Sequence, residues 1–152
     1  MVNIRIAGIE KLSLVNGDGC RAVVFVQGCR HNCPGCQNPD TWDFHGGYSM
    51  EVSELASVLK TLIRQHPLDG LTLSGGDPFY QERACSALMR LLPDELDLWV
   101  YTGFRYEEIA DTELAMRADV IVDGPYIEAL RREGQPYGSS NQRIIRKGRT
   151  GR

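Results

Sequence analysis

The stretch RAVVFVQGCRHNCPGC, residues 21–36, holds the transition on which the fold depends. Residues 21–27 are rich in β-branched and aromatic side chains. They lie between Gly17 and Gly19 on one side and Gly28 on the other, a pattern that predicts a buried strand. The strand stops where Cys29 begins a run of three cysteines, Cys29, Cys33 and Cys36, and Pro34 and Gly35 favour a sharp turn before the last. A dense thiol loop at the end of a buried strand is the arrangement to be explained.

Working outward, strand-like and helix-like segments alternate. Residues 49–65 carry Val52, Leu55, Ala56, Leu59, Leu62 and Ile63 at helical spacing, with Ser49 and Glu51 or Ser53 as start signals, and predict a helix. Residues 70–78, GLTLSGGDP, read as a short strand running into a glycine turn. Residues 79–92 read as a helix, 96–103 as a strand, 105–117 as one or two helical pieces and 118–126 as a strand. Such alternation implies parallel strands joined by right-handed helical crossovers, because a tight hairpin cannot connect a parallel pair. The expected class is therefore α/β with a mostly parallel sheet. Each strand ends in a glycine-containing loop (Gly28, SGGDP, YTG, DGPY). Ligands of parallel α/β folds sit at the carboxyl ends of the strands, so these loops are expected to share one rim with the cysteines. About four or five βα units are too few for a closed eight-stranded barrel, which leaves an open, partial (β/α) barrel.

A chain of 152 residues with 42% hydrophobic and 24% charged residues fits one folded domain spanning 1–152 and argues against a disordered or fibrous chain. A net charge of −3 gives no general attraction to nucleic acid or to an anionic membrane. Residues 143–152, RIIRKGRTGR, collect Arg143, Arg146, Lys147, Arg149 and Arg152 without an acid. This basic tail reads as a frayed, solvated end, or else as a docking segment for an acidic partner or a phosphate-bearing ligand. The first fourteen residues alternate polar and apolar positions and lack the apolar core of a signal peptide. No apolar run approaches the ~20 residues needed to cross a bilayer. The expected compartment is the cytoplasm, where thiols stay reduced and a tight cysteine cluster signals metal binding or catalysis rather than a disulfide framework.

Three cysteines spaced four and three residues apart bring their sulfurs within one loop's reach. A closed structural zinc site takes four protein ligands, usually as two half-sites, and only one half-site is present. His31, His45 or Cys20 are candidates for a fourth zinc ligand, so zinc stays open on spacing alone. A four-iron cubane normally takes four cysteines. With three, one iron is left for a small molecule that brings its own donors, which suits catalysis better than electron relay.

The C-x3-C-x2-C run and the LSGGDPF segment at 73–79 together resemble the cluster and glycine motifs of the radical S-adenosylmethionine (SAM) enzymes. Within that family the chain is most similar to the branch that activates anaerobic ribonucleotide reductase. That likeness rests on residues 15–44, LTLSGGDPF, WVYTGF, VIVDGPY and GSSNQRII, and GSSNQR separates it best from the similar activases of pyruvate formate-lyase. The resemblance implies a small radical SAM domain in which Cys29, Cys33 and Cys36 ligate a 4Fe-4S cluster. SAM would then chelate the fourth iron. Gly35, Cys36 and Gln37 would lie beside SAM, with Gly35 and Gln37 near its adenine, and Gly75, Gly76 and Asp77 would meet its methionine amino group. It further implies reductive cleavage of SAM to a 5′-deoxyadenosyl radical that makes a glycyl radical on the reductase's large subunit. The electron donor would be a flavodoxin or a thioredoxin-type reductant, and the resemblance allows a homodimer. The alternatives are an activase of another glycyl-radical enzyme and a non-catalytic Fe-S or zinc module that binds a partner.

Two positions depart from the resembled pattern. Gly35 stands where most radical SAM enzymes have an aromatic residue, though this branch commonly has glycine, and Asp18 stands where relatives often have proline. Among the remaining candidates, Cys85 reads as a buried small hydrophobe and Cys20 as a structural thiol. His31 reads as a solvent-facing polar residue, and His66, before Pro67, as a helix end. Trp42 and Phe44 either shield the cysteine loop from water or pack under it.

Overall fold

Seven strands hydrogen-bond side by side in the order β3-β1-β2-β4-β5-β6-β7. They are β1 (Asn3–Ser13), β2 (Arg21–Val26), β3 (Tyr48–Glu51), β4 (Gly70–Gly75), β5 (Leu98–Tyr101), β6 (Val120–Asp123) and β7 (Arg143–Arg146). The computed structural model describes residues 2–31, 33–36, 39–135 and 137–147. β2, β4, β5 and β6 are mutually parallel. The outer pairings, β1 with β2 and β3 and β6 with β7, are antiparallel. The sheet is thus mixed and parallel only in its middle, with β3 and β7 at its edges.

The helices α1 (Val52–Gln65), α2 (Glu82–Arg90), α3 (Tyr106–Ile109) and α4 (Glu113–Arg117) all contribute to one core. Alternate strand residues face them: Ala22, Val24 and Val26 of β2, Leu71 and Leu73 of β4, Leu98 and Val100 of β5, and Ile121 of β6. Side chains on a strand point to opposite faces in turn. Arg21, Val23, Thr72, Ser74, Trp99, Tyr101, Val120 and Val122 therefore make the other face, where Trp99, Val120 and Val122 form a second small cluster. α1 buries Val52, Leu55, Ala56, Leu59 and Leu62, the helical spacing read from the sequence. Its His66 end is extended, as a residue before proline should be, and its backbone N–H closes the last turn on Leu62.

Two expectations need correction, at the start of α1 and in the basic tail. Ser49 does not start α1: residues 48–51 form the edge strand β3, in which Ser49 pairs with Arg5, so strand pairing overrides the local start signal. The alternating N-terminus is an eleven-residue strand, β1, with Ile4 and Ile6 fully buried. The basic tail is not a frayed end through its first four residues. Arg143–Arg146 pairs with β6, and Arg143 bonds to both Glu107 and the buried Asp123. Lys147 N–H continues onto Asp119 O, and residues 148–152 lie outside the described residues. No helix among the described residues is long and apolar enough to cross a membrane.

Candidate functional site

The loops after β2, β4, β5 and β6 meet at the carboxyl ends of the parallel strands. Cys29, Cys33 and Cys36 line one cavity there, of about 110 Å³, together with Gly75 and Gly76 after β4, Thr102 and Gly103 after β5, and Gly124 after β6. The bases of the first two loops are joined by backbone hydrogen bonds. Gly76 N–H donates to Val26 O (2.8 Å) and Asp77 N–H to Gly28 O (2.9 Å), while Gly28 and Cys29 donate to the carbonyls of Thr41 and Trp42. This closeness explains the paired glycines. A Cβ on Gly76 would lie 2.8 Å from both the Gly28 carbonyl carbon and the Thr41 oxygen, and Gly75 has φ +102° with Val26 backbone where a Cβ would be.

The three thiols are partly buried. Burial pushes Cys29 up to about 11 and raises Cys33 as well, because the low-dielectric surroundings disfavour a thiolate. A bound cation would reverse that preference and release the protons. Among the described residues no three His, Cys, Asp or Glu side chains converge as they would on a single metal ion. Soft thiolates are donors that both zinc and iron–sulfur clusters use. Two of the three candidates for a fourth zinc ligand are placed or engaged elsewhere. Cys20 precedes β2 whereas Cys29 follows it, which separates them by about 20 Å of strand. His31 is turned onto Asp77, and His45 is exposed beside Cys29.

Asp77 sits beneath the cavity and is fully buried. Its carboxylate accepts from Phe79 N–H (3.0 Å), Gly103 N–H (2.9 Å) and Thr102 Oγ1 (2.8 and 2.9 Å), and His31 Nε2 lies 2.7 Å away. The carboxylate thus has its partners within the protein, and the glycine backbone rather than this side chain faces the cavity. Nor does His31 face solvent: its side chain is 16% exposed and packs edge-on against Phe104 and obliquely against Tyr80. Cys85 is buried at 0% exposure, its thiol pushed up by burial, as expected of a core residue. Trp42 lines the cysteine cavity, and Phe44 packs against Gly28. Gly35 lies on the cysteine loop with φ +75°, and Gln37 lies outside the described residues.

Sequence reasoning passed over one wall of the site. The excursion from Gly124 to Gln142 returns over the cysteine loop, with the Glu128 side chain filling the space a Cβ of Gly35 would need. The GSSNQ residues tie it down: Gln142 donates to Gly124 O and accepts from Gly138 and Ser139 N–H, Asn141 donates to Pro125 O, and Ser139 Oγ accepts from Ile127 N–H. A second recess, about 360 Å³, shares Cys36, Ser74, Tyr101, Tyr126 and Gln142 with the first and continues between Val15 and Tyr137. The glycines of YTG and DGPY were visible in the sequence. That Thr102 and Gln142 reach across to other loops was not.

Residues 15–145 match the family model described as a 4Fe-4S single cluster domain. Among curated proteins, the chain is 37% identical over 142 residues to the anaerobic ribonucleoside-triphosphate reductase-activating protein of Enterobacteria phage T4, covering 90% of each. It is 37% identical over 149 residues to the protein of the same name from Vibrio cholerae (89% of this chain, 93% of the relative). The one from Escherichia coli K12 is 34% identical over 143 residues (86% and 91%). Among solved structures, QueE from Escherichia coli superposes with a TM-score of 0.54 at 13% identity, over 80% of this chain and 70% of that one, a likeness of fold.

Proposed function

The chain belongs to the family of anaerobic ribonucleoside-triphosphate reductase-activating proteins, and from that premise we propose that it is a radical SAM activase acting on an anaerobic ribonucleotide reductase. Cys29, Cys33 and Cys36 would hold a 4Fe-4S cluster, which with SAM would supply one-electron reductive cleavage of the sulfonium to methionine and a 5′-deoxyadenosyl radical able to take a hydrogen atom from a backbone glycine of the reductase's large subunit. The observation that carries the reading is that the three thiols and the strand-end glycines Gly75 and Gly76 line one cavity.

The chain's own share is to bind, orient and shield. Backbone carbonyls at Gly75 and Gly76 can approach an ammonium group closely because no Cβ intervenes. Asp77 acts on that turn from below, through Thr102, Gly103 and Phe79. The recess beyond Cys36 offers room for the adenosyl part of SAM, and Trp42, which lines the cysteine cavity, would shield it from water. The parallel strands β2, β4, β5 and β6 form the wall of an open partial barrel in this reading, and its open side admits a polypeptide segment. The electron would come from a flavodoxin or thioredoxin-type donor in the cytoplasm, where the five free thiols stay reduced.

Electron paramagnetic resonance on anaerobically reconstituted, reduced protein tests the reading. A cubane signal that changes on adding SAM is expected, and Cys33→Ala should abolish both the full cluster and SAM cleavage. A protein that takes one zinc and gives no cluster signal, or a Cys33→Ala variant that still cleaves SAM, would overturn it.

A further inference from the structure

Among the described residues, side-chain contacts join the cysteine loop and the glycine turn besides their backbone bonds: Tyr80, after the turn, packs on Phe44 and His31, and the contact with the buried carboxylate of the turn comes from a residue between the first two cysteines. His31 Nε2 meets Asp77 Oδ2 at 2.7 Å, the Nε2–H tautomer donating to the carboxylate. The ring is held in place by its neighbours. Its centroid lies 4.6 Å from that of Phe104 at 79° and 5.5 Å from that of Tyr80, and Gly103 leaves the room the ring needs, since a Cβ there would sit 2.6 Å from His31 Cδ2. Asp77 in turn accepts from Thr102 Oγ1 and Gly103 N–H at the end of β5 and from Phe79 N–H on its own loop. Three strand-end loops therefore converge on one fully buried carboxylate, and His31 is the cysteine loop's link to it.

We propose that His31 is a positioning residue that latches the cysteine loop to the glycine turn through Asp77 and so fixes the distance between the thiols and the Gly75–Gly76 backbone. The bases of the two loops are already joined at Val26 and Gly28. Cys29 sits at that base, with its N–H on Trp42 O, but Cys33 and Cys36 lie further along the loop, beyond His31, where register is set by what ties the loop's middle. A group bound partly by the thiols and partly by the glycine backbone needs both at once, so a loosened latch weakens the bridging ligand more than it weakens assembly on the thiols alone. Partners that orient metal ligands from behind typically contribute 10–100-fold to affinity or activity. The inference rests on the reading that SAM bridges these two loops, and its test is built so that the two can fail separately.

Three variants separate the hydrogen bond from the ring. His31→Leu keeps apolar volume but cannot donate. His31→Gln can place an amide N–H near the Nε2 position. His31→Asn is polar but too short to reach Asp77, and it serves in place of His31→Leu if that variant does not fold. In the cluster-free protein, hydrogen–deuterium exchange across 28–31 and 75–77 should speed up in the Leu and Asn variants and stay near wild type in the Gln variant. After reconstitution, iron and sulfide content should match wild type in all three. The dissociation constant for SAM should rise about tenfold or more in the Leu and Asn variants, with a weakened SAM-induced change in the paramagnetic signal, and His31→Gln should recover most of both. A Leu or Asn variant with wild-type exchange and wild-type SAM affinity would overturn the latch. So would equal impairment of the Gln and Leu variants, which would assign the effect to ring packing. If wild-type protein bound no SAM, the proposed function would fail, while the exchange measurement on cluster-free protein would still decide the latch.

Discussion

Gly76→Ala is the sharpest test of how the two loops are packed. A Cβ on residue 76 would sit 2.8 Å from the Gly28 carbonyl carbon and the Thr41 oxygen, both backbone atoms, whereas ordinary carbon contacts begin at 3.4 Å. The glycine turn and the cysteine loop must therefore part by more than half an ångström. Neither neighbour is the end of a flexible side chain, so the strain cannot be relieved by a rotamer change. The parting also stretches the Asp77 N–H bond to Gly28 O, now 2.9 Å. Overpacking of this kind costs about 1–3 kcal/mol, and a lost backbone hydrogen bond adds about 1 kcal/mol. Denaturant unfolding of the cluster-free protein should show a loss of about 2–4 kcal/mol, and SAM binding after reconstitution should fall with it. Gly8→Ala is the control: nothing lies within 4 Å of its Cβ, and its cost should stay within about 0.5 kcal/mol. A Gly76→Ala protein as stable as the control would refute the packing, and with it the claim that the glycines are there to bring the two loops together.

Two further outcomes follow from the packing away from the site. Arg21 is 1% exposed and donates to Thr72 Oγ1, Asp18 O, Leu71 O and Asp97 O, besides pairing with the Asp97 carboxylate at 2.9 Å. Arg21→Ala should cost about 3–5 kcal/mol in the same unfolding assay, and a loss below about 1 kcal/mol would contradict a buried network. On the surface, Glu107 accepts both Arg143 nitrogens, and that hydrogen bonding holds its carboxyl down at about 2 from an ordinary 4.5. Because the folded value is depressed, the pair's contribution is complete above 4.5 and is lost only as pH falls through about 2. Carboxyl titration by NMR should give a midpoint near 2 for Glu107, with exchange of the β7 amides unchanged between pH 6 and 4. A midpoint near 4.5 would mean that Arg143 does not hold β7 in this way.

Periodicity revealed most of the parallel core, because α1 and the strands β2, β4, β5 and β6 bury the residues their spacing selects. Pairing at the sheet edges was less legible. Residues 49–51 read as the start of a helix, and residues 143–146 as part of a solvated basic end, yet Tyr48–Glu51 and Arg143–Arg146 are strands because β1 and β6 offer unpaired edges to them. Local propensity carries no information about such a distant partner. The site divided along the same line. Cysteine spacing and the glycine turn were readable because each is contiguous, whereas the convergence of His31, Thr102 and Gly103 on Asp77 joins three separate loops. The one local clue was a histidine lodged between two cysteines.

Gly35 and the GSSNQ segment, a departure from the wider pattern and a mark of one branch, have a common physical origin. An aromatic residue at 35 would require a side chain on a backbone with φ +75°, where L residues are strained, and would drive it into the space Glu128 fills. Glu128 is there because the 124–142 excursion folds back over the cysteine loop, with its carboxylate fixed by the Tyr126 hydroxyl at 2.7 Å. That excursion can fold back because Gln142, Asn141 and Ser139 satisfy its backbone groups at Gly124, Pro125, Ile127 and Gly138. A bulky residue before the third cysteine and an excursion closed over it compete for the same volume. A chain that builds the second must give up the first, so glycine at 35 and GSSNQ at 138–142 are two ends of one packing solution. The wall it makes runs from Cys36 to Gln142, along the recess beyond the third cysteine.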